Sequence, residues 1–348
     1  MQLRDFLPRP ALVTKETEVP RPRFQVIDAH NHLGEQFGGG WDKRPLGALL
    51  DVLDEAGVRA LVDLDGGWGE DILQRHLDRF KAGAPERFCI FGGIDWSTWP
   101  ELGDRFPELA AARLREQAAR GAQGLKIWKA FGLQVRDQRG ALVALDDPRL
   151  DPIWLTAAEL RLPVIMHVAD PVAFFRPLDA HNERWEELHA HPEWHFGGPQ
   201  FPLFESIVAG MANLVARHPR TTFVGAHVGC YAENLQWVGD LLERCPNLYV
   251  DMAARMAELG RQPYSARRFF IRHADRSLFG TDSPANARVY RLYYRFLETD
   301  DEYFEYDLRD RPAQGRWRIY GLHLPEDVLE KVYHRNAERV LLRQQEDP

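Results

Sequence analysis

Histidine and aspartate residues recur in this sequence where short apolar runs come to an end. His30 and His32 follow one such run as a His-x-His pair, and later runs end at single ionisable residues, namely His167, His227 and Asp282. Successive side chains of a strand point to opposite faces, so a strand here would put His30 and His32 on the same face. Imidazole nitrogens and carboxylate oxygens are ligands for Zn²⁺ and similar divalent ions. Each residue alone is typical of a structural strand end, but their joint order predicts a metal site.

Eight apolar runs, separated by amphipathic or loop stretches, would position these residues. The predicted strands cover residues 24–29, 58–64, 88–94, 124–128, 163–167, 221–226, 248–251 and 277–280. Strands that alternate with helical patterns indicate parallel pairing in the α/β class, and eight of them close a (β/α)8 TIM barrel. Barrel enzymes build their sites at the carboxyl ends of the strands, so this fold would bring the histidines and the aspartate together.

The domain organisation follows from the length of 348 residues, because a (β/α)8 barrel takes about 250 residues and grows by loop insertions. We expect residues 1–23 to form an extended arm that leads into the first strand or packs on a neighbouring subunit. Residues 24–348 are expected to form a single barrel domain, with insertions at 170–202 after the fifth strand and 286–322 after the eighth. The tyrosine-rich residues 290–304 are predicted to serve packing and subunit contact.

Charge and composition argue against several classes of protein. The formal net charge of −8 argues against nucleic acid as a partner, because nucleic-acid binding needs a basic surface. No apolar run reaches the roughly 18 residues of a membrane span, and the amino terminus lacks the apolar segment of a secretory signal. The three scattered cysteines do not form a disulfide framework. These features predict a cytoplasmic enzyme that does not bind membranes.

Short motifs around the strand ends carry a wider resemblance. They are IDAHNH at residues 27–32, GLKIW at 124–128, VIMHVADP at 164–171, FVGAHVG at 223–229, YVDMA at 249–253 and LFGTDSP at 278–284. With these motifs the sequence resembles the amidohydrolase superfamily over about residues 24–342. It looks like the branch that includes aminocarboxymuconate-semialdehyde decarboxylase, γ-resorcylate decarboxylase and pyrone-dicarboxylate lactonase.

The resemblance implies one divalent metal ion, whose ligands would be His30, His32, His167 and Asp282. It places His227 beside the metal, where it would polarise the substrate. Zinc is the expected ion, and manganese, iron and cobalt are left open by the same donor set. A bound metal lowers the pKa of water to about 7, and Asp282 would accept the proton of that water. We therefore predict hydrolysis of a C–O or C–N bond in a small, anionic organic substrate.

Two alternatives to hydrolysis remain open. The branch also contains non-oxidative decarboxylases, in which the metal and His227 would stabilise or protonate a carbanion-like intermediate of an aromatic or muconate-like carboxylate as CO2 departs. The second alternative is a barrel that has lost catalysis and only binds a ligand, although all the expected ligands are present.

Two further residues near the predicted ligands have more than one interpretation. Lys126 lies close to the position where some relatives carry a carboxylated lysine that bridges two metals. We expect one metal, with Lys126 in contact with an anionic substrate or an acidic neighbour. Asp28 shares the face of His30 and His32 and either orients a ligand or is a buried structural carboxylate.

Loop residues at the same end of the barrel are predicted to bind the substrate. Arg255 and Arg261 follow the seventh strand, and either could bind a substrate carboxylate through two parallel hydrogen bonds or lie on a solvated helix face. Trp185 and His195 belong to an insertion rich in aromatic residues and histidines, which predicts a lid over the pocket or a subunit interface. Members of this branch are often dimers, so a homodimer or higher homo-oligomer is expected.

Overall fold

The computed structural model describes residues 5–342, and its centre is a ring of eight short parallel strands. They are β1 (Val26–Asn31), β2 (Val58–Asp63), β3 (Phe88–Ile90, continued by Gly92–Gly93), β4 (Leu125–Ile127), β5 (Val164–Met166), β6 (Phe223–Gly225), β7 (Leu248–Asp251) and β8 (Ser277–Leu278). Each strand pairs in parallel with the next one along the chain. The predicted α/β class and strand order are therefore confirmed.

Backbone hydrogen bonds between the first and last strands close the ring into a (β/α)8 barrel. The N–H of Ala29 donates to the carbonyl of Phe279 at 2.9 Å, and the N–H of Asp282 donates to the carbonyl of His30 at 2.9 Å. Apolar side chains from successive strands fill the interior, among them Ile27, Val62, Ile165 and Val224. The interior of the barrel is thus a packed core of apolar side chains.

Helices connect the strands and cover the outside of the barrel. The longer ones are Leu46–Ala56, Phe106–Arg120, Asp151–Glu159, Phe204–Arg217, Leu235–Arg244 and Pro263–Arg272, and the shorter ones include Glu70–His76, Met256–Arg261, Glu326–Glu330 and Asn336–Val340. The first of them ends at Gly57, which adopts the left-handed conformation at φ 76° that favours glycine. Across residues 5–342, no helix is long and apolar enough to cross a membrane.

Two differences between the predicted and observed strand ends affect the site. The first strand was predicted to end at Ala29, but β1 continues to Asn31, which pairs with Asp63 of β2. His30 therefore lies within the strand rather than after it. The sixth strand was predicted to reach Ala226, but β6 stops at Gly225 because residues 227–230 adopt left-handed conformations with φ between 57° and 63°.

Both predicted insertions contain a helix. The first holds Trp185–Ala190, and the second opens with Ala287–Glu298, which buries three tyrosines, Tyr290, Tyr293 and Tyr294. The amino-terminal arm lies on this second insertion: the Lys15 ammonium pairs with Asp300 at 2.6 Å, and Thr17 donates two hydrogen bonds to Asp301. The described part of the arm thus contacts its own chain, while the division into arm and barrel domain stays a prediction.

Candidate metal centre

His30 and His32 are both held by carboxylates of neighbouring strand ends. The Nδ1 of His30 lies 2.9 Å from Asp251 Oδ2, and the Nδ1 of His32 lies 2.7 Å from Asp65 Oδ1, with all four residues buried. An ionised carboxylate only accepts hydrogen bonds, so each Nδ1 carries a proton and each Nε2 is the ring atom left to bind a metal ion. This carboxylate–histidine arrangement is the one that fixes imidazole ligands of metal ions.

Asp282 brings a third ligand atom to these two imidazoles. Its Oδ1 lies 3.2 Å from the Nε2 of His32 and 4.0 Å from the Nε2 of His30, and the ligand atoms of all three residues lie within 4.8 Å of one another. A carboxylate oxygen facing two nitrogen lone pairs is unfavourable unless positive charge lies between them. Two nitrogens and one oxygen form a donor set that Zn²⁺, Mn²⁺, Fe²⁺ and Co²⁺ all accept, so the residues fit a divalent cation.

The electrostatics of these residues favour positive charge at the same place. Although burial opposes it, Asp282 and Asp65 raise the pKa of His32 to about 9. Burial also opposes ionisation of Asp282, but the His30 and His32 imidazoles hold the pKa of its carboxyl below the usual range. The group therefore holds a proton strongly, and a divalent cation would compete for the same position.

His227 presents an unpaired nitrogen to this group. Its Nδ1 donates to the carbonyl of Ala253 at 2.9 Å, so the neutral ring has its proton on Nδ1. Its Nε2 is buried, has no hydrogen-bond partner among residues 5–342, and lies 3.9 Å from Asp282 Oδ2. Burial, the neighbouring His167 and the Arg255 guanidinium lower the pKa of His227 well below its usual value. His227 is therefore a neutral imidazole with a free lone pair.

The backbone that carries His227 is strained. His227 and Val228 have φ and ψ near 57° and 45°, and Cys230 has φ 58°, so a left-handed turn follows β6. This conformation costs roughly 1–2 kcal/mol per residue that is not glycine. Strain of this kind clusters at functional sites, where surrounding contacts enforce it. Here Asp251 contributes, because its Oδ1 accepts the backbone N–H of His227 at 2.9 Å.

His167, the fourth predicted ligand, lies beside this group but is not part of the set of three. Its ring centroid is 4.3 Å from that of His227, and its Nε2 lies 3.2 Å from Asp170 Oδ1. Asp170 also accepts a hydrogen bond from Lys129. The role of His167 as a metal ligand stays a prediction.

Lys126 is completely buried next to His30. Its Nζ lies 3.3 Å from the Nε2 of His30 and 4.8 Å from the ring centroid of Trp128. Burial lowers the pKa of Lys126 to about 8, although Asp282 and Asp251 oppose the shift. The Lys126 amine thus lies beside His30 in this group of residues. Asp28 accepts hydrogen bonds from Thr281, Asn31 and Tyr290.

The two predicted arginines have different environments. Arg255 is buried, donates one hydrogen bond to the carbonyl of Ala254 at 2.9 Å and is close enough to His227 to lower its pKa. The guanidinium of Arg261 instead binds both carboxylate oxygens of Glu183, at 2.7 and 3.1 Å, and covers the Trp317 ring at 4.0 Å. The structure therefore brings Arg255 to the histidines, whereas Arg261 belongs to a partly exposed ion pair.

Trp185 and His195 contact other parts of the insertion. Trp185 stacks on His189 with ring centroids 4.7 Å apart, is 43% exposed and lines an outer cavity of about 880 Å³ together with Phe6 of the arm. The Nε2 of His195 donates to the carbonyl of Arg176 at 2.8 Å. These contacts place neither residue next to His30, His32 or His227, and substrate binding by them stays a prediction.

Several residues of the site were not predicted from the sequence. Asp65 follows β2 closely and could have been found by the same rule that selected the histidines, namely an ionisable residue after an apolar strand. An aromatic group beside His32 had no such signal: the Trp128 ring lies 5.3 Å from the His32 ring and 3.9 Å from the Trp68 ring, and Phe37 lies 5.7 Å from His32. Trp68 and Phe37 are partly exposed, so the centre has an aromatic wall on this side.

Comparisons with known proteins agree with this fold. A sequence model described as amidohydrolase matches residues 27–343. No curated protein matches the sequence. Solved structures that match it include 2,6-dihydroxybenzoate decarboxylase from Rhizobium, at 16% identity and TM-score 0.58, over 92% of this chain and 99% of that one.

Two further structures have the same fold. A dihydroxybenzoic acid decarboxylase from Polaromonas, with bound manganese and the inhibitor 2-nitroresorcinol, matches at 16% identity and TM-score 0.56, over 92% of this chain and 97% of that one. The 5-carboxyvanillate decarboxylase from Sphingomonas paucimobilis matches at 13% identity and TM-score 0.53, over 92% and 100%. At these identities the likeness establishes the fold.

Proposed function

Because the chain belongs to the amidohydrolase family, we propose that it is a metal-dependent decarboxylase of a hydroxylated aromatic carboxylate. The position of the proton on the His227 ring is the observation that favours decarboxylation over hydrolysis. The hydrolytic role predicted for His227 requires an Nε2–H that donates to a carbonyl oxygen, but the proton lies on Nδ1, toward Ala253. The free Nε2 is instead suited to accept a proton and later deliver it to carbon.

The aromatic wall and the structural relatives support the choice of substrate. Trp68, Trp128 and Phe37 offer ring faces beside His32, and flat rings stack favourably on such surfaces. The Rhizobium and Sphingomonas relatives are decarboxylases of 2,6-dihydroxybenzoate and 5-carboxyvanillate. We infer that this protein acts on the same class of substrate, namely a benzoate with a hydroxyl group beside its carboxylate.

We propose that His30, His32 and Asp282 hold one divalent metal ion, with His167 as a fourth ligand. Manganese, present in the Polaromonas relative, is as compatible with this donor set as the zinc expected from the sequence. When bound, the ion supplies positive charge that fixes the anionic oxygens of the substrate and stabilises negative charge during the reaction.

The residues of this chain would carry out the proton transfer. Arg255 and Lys126, both buried and cationic, would hold the substrate carboxylate. The Nε2 of His227 would take the proton of the neighbouring hydroxyl, and Asp282 Oδ2 at 3.9 Å would stabilise the imidazolium. His227 would then deliver this proton to the ring carbon that bears the carboxylate. The C–C bond breaks, its electron pair returns to the ring, and CO2 and a phenolate leave.

Product analysis tests this reaction against hydrolysis. Purified protein loaded with Mn²⁺ or Zn²⁺ would be incubated with 2,6-dihydroxybenzoate and 5-carboxyvanillate, and in parallel with aromatic lactones and esters. We expect CO2 in equal amount to the decarboxylated phenol, lost after chelation of the metal. Hydrolysis of a lactone or ester without any CO2 from the carboxylates would overturn the proposal and restore the hydrolytic mechanism.

Replacing the arginines separates their roles. An Arg255→Lys variant should raise KM for the carboxylate about tenfold to a hundredfold, because a lysine cannot reproduce a two-point contact with a carboxylate. Arg261→Lys is the matched control and should leave KM unchanged, since that guanidinium binds Glu183. Steady-state kinetics of both variants measures this. Equal values of KM for the two variants would contradict the assignment of Arg255.

A further inference from the structure

Asp282 lies in the left-handed backbone region, which residues other than glycine adopt uncommonly. Its φ is 51°, and it lies four residues after the end of β8, next to Thr281. Within residues 5–342 the chain on both sides of Asp282 is held by hydrogen bonds. The Asp282 N–H donates to the His30 carbonyl at 2.9 Å, and the carbonyl of Ser283 accepts the Asn31 side-chain amide at 3.0 Å. These contacts fix the direction in which the carboxylate leaves the backbone.

Asp28, on β1, is the centre of this set of contacts. Its Oδ1 accepts the backbone N–H of Thr281 at 3.0 Å, and its Oδ2 accepts the Thr281 hydroxyl at 2.7 Å. The same Oδ2 accepts the Asn31 amide at 2.7 Å and the Tyr290 hydroxyl at 2.8 Å. Its carboxylate is fully buried and surrounded by these donors. Asp28 therefore holds Thr281, the residue that precedes Asp282 in the chain, and is not directed at an imidazole ring.

The helix Ala287–Glu298 contributes to this support from outside the barrel. Tyr290 reaches Asp28, and Tyr293, three residues further on, donates from its hydroxyl to the carbonyl of Thr281 at 3.1 Å. Both tyrosines are buried. The helix lies in the second insertion, so a segment outside the core strands touches the peptide that carries Asp282.

We propose that Tyr290 is a positioning residue for the metal centre, acting through Asp28 and Thr281 to hold Asp282 in its left-handed conformation. The inference rests on the proposed role of Asp282 as a metal ligand. Tyr290 is aimed at Asp28 and not at the substrate, so it takes no part in the chemical step. Losing its hydroxyl leaves Asp28 Oδ2 with two donors and lets Thr281 and Asp282 relax away from the geometry that binds the ion.

Metal titration of the full-length protein tests the inference. Protein stripped with a chelator would be titrated with Mn²⁺, with free ion followed by electron paramagnetic resonance and unfolding by urea. We expect Tyr290→Phe to weaken Mn²⁺ binding about threefold to tenfold, less than the roughly 10–100-fold loss for a partner that touches a ligand directly. Tyr294→Phe is the matched control, because its hydroxyl is also buried but donates to the carbonyl of Ala56 at 2.9 Å.

The control distinguishes positioning from general stability. Both variants lose one buried hydrogen bond and should unfold at lower urea concentration, but only Tyr290→Phe should bind Mn²⁺ more weakly. Thr281→Val should weaken binding as well, and Thr281→Ser, which keeps the hydroxyl, should restore it. Equal Mn²⁺ affinity in wild type, Tyr290→Phe and Tyr294→Phe would refute the role of Tyr290 alone. A wild type that binds no Mn²⁺ would refute the metal centre and this role with it.

Discussion

An Asp282→Asn variant is expected to lose the metal ion and to decarboxylate about a thousandfold more slowly than wild type. The substitution keeps the size and shape of the side chain and removes its charge. Asp282 Oδ1 faces His32 and His30, and Oδ2 faces His227, so this one carboxylate is directed at the Nε2 atoms of all three imidazoles. An amide there would neither attract a divalent cation nor stabilise protonated His227.

Metal analysis by mass spectrometry and CO2 release together measure this result. Wild type should carry about one Mn or Zn per chain, and Asp282→Asn should carry much less after the same purification. Asp137→Asn is a suitable control, because Asp137 is also a buried carboxylate but pairs with Arg149 at 2.9 Å. If Asp282→Asn kept one ion per chain and the wild-type rate, Asp282 would be neither a ligand nor a catalytic residue. About two ions per wild-type chain would instead indicate a bridging role for Lys126.

The barrel could be predicted from the sequence, and so could the clustering of its ionisable residues. Both follow from the parallel arrangement of the strands. Every strand of such a barrel ends at the same face, so errors of two residues in a strand boundary do not change which side chains converge. The predicted strand β1 ended before His30, and His30 and His32 nevertheless face Asp282 in the structure. This prediction depended on the order of the strands and not on their exact lengths.

Other features depend on tertiary packing, which the spacing of residues along the sequence does not reveal. The proton of His227 lies on Nδ1 because a left-handed turn brings that atom to the carbonyl of Ala253, and the spacing of the histidines along the sequence does not predict this contact. Arg255 and Arg261 lie six residues apart at opposite ends of a short helix and leave it in different directions. Arg261 is already paired because Glu183, which belongs to an insertion far away in the sequence, lies next to it in the structure.

The insertion at residues 170–202 was predicted to be a lid or a subunit interface, and a buried ion pair joins it to the barrel. Arg184 is 1% exposed and binds Glu187 at 2.7 Å within the insertion and Glu258 in the helix Met256–Arg261. If one member of such a pair is removed, the other is left as a buried charge with no opposite charge beside it. Breaking a pair of this kind costs about 3–5 kcal/mol of unfolding free energy.

Arg184→Met should therefore destabilise the protein by about 3–5 kcal/mol in urea unfolding, because Glu258 remains buried without its partner. Arg184→Met with Glu258→Gln should recover part of the loss, since the second change removes the unpaired charge. The matched control is Arg261→Met, which breaks the partly exposed pair with Glu183 and should cost no more than about 1 kcal/mol. If the two single variants lost the same stability, Arg184 would not anchor the insertion. A lid that opens as a whole would then be the better interpretation, because only a weakly held segment can leave the barrel during turnover.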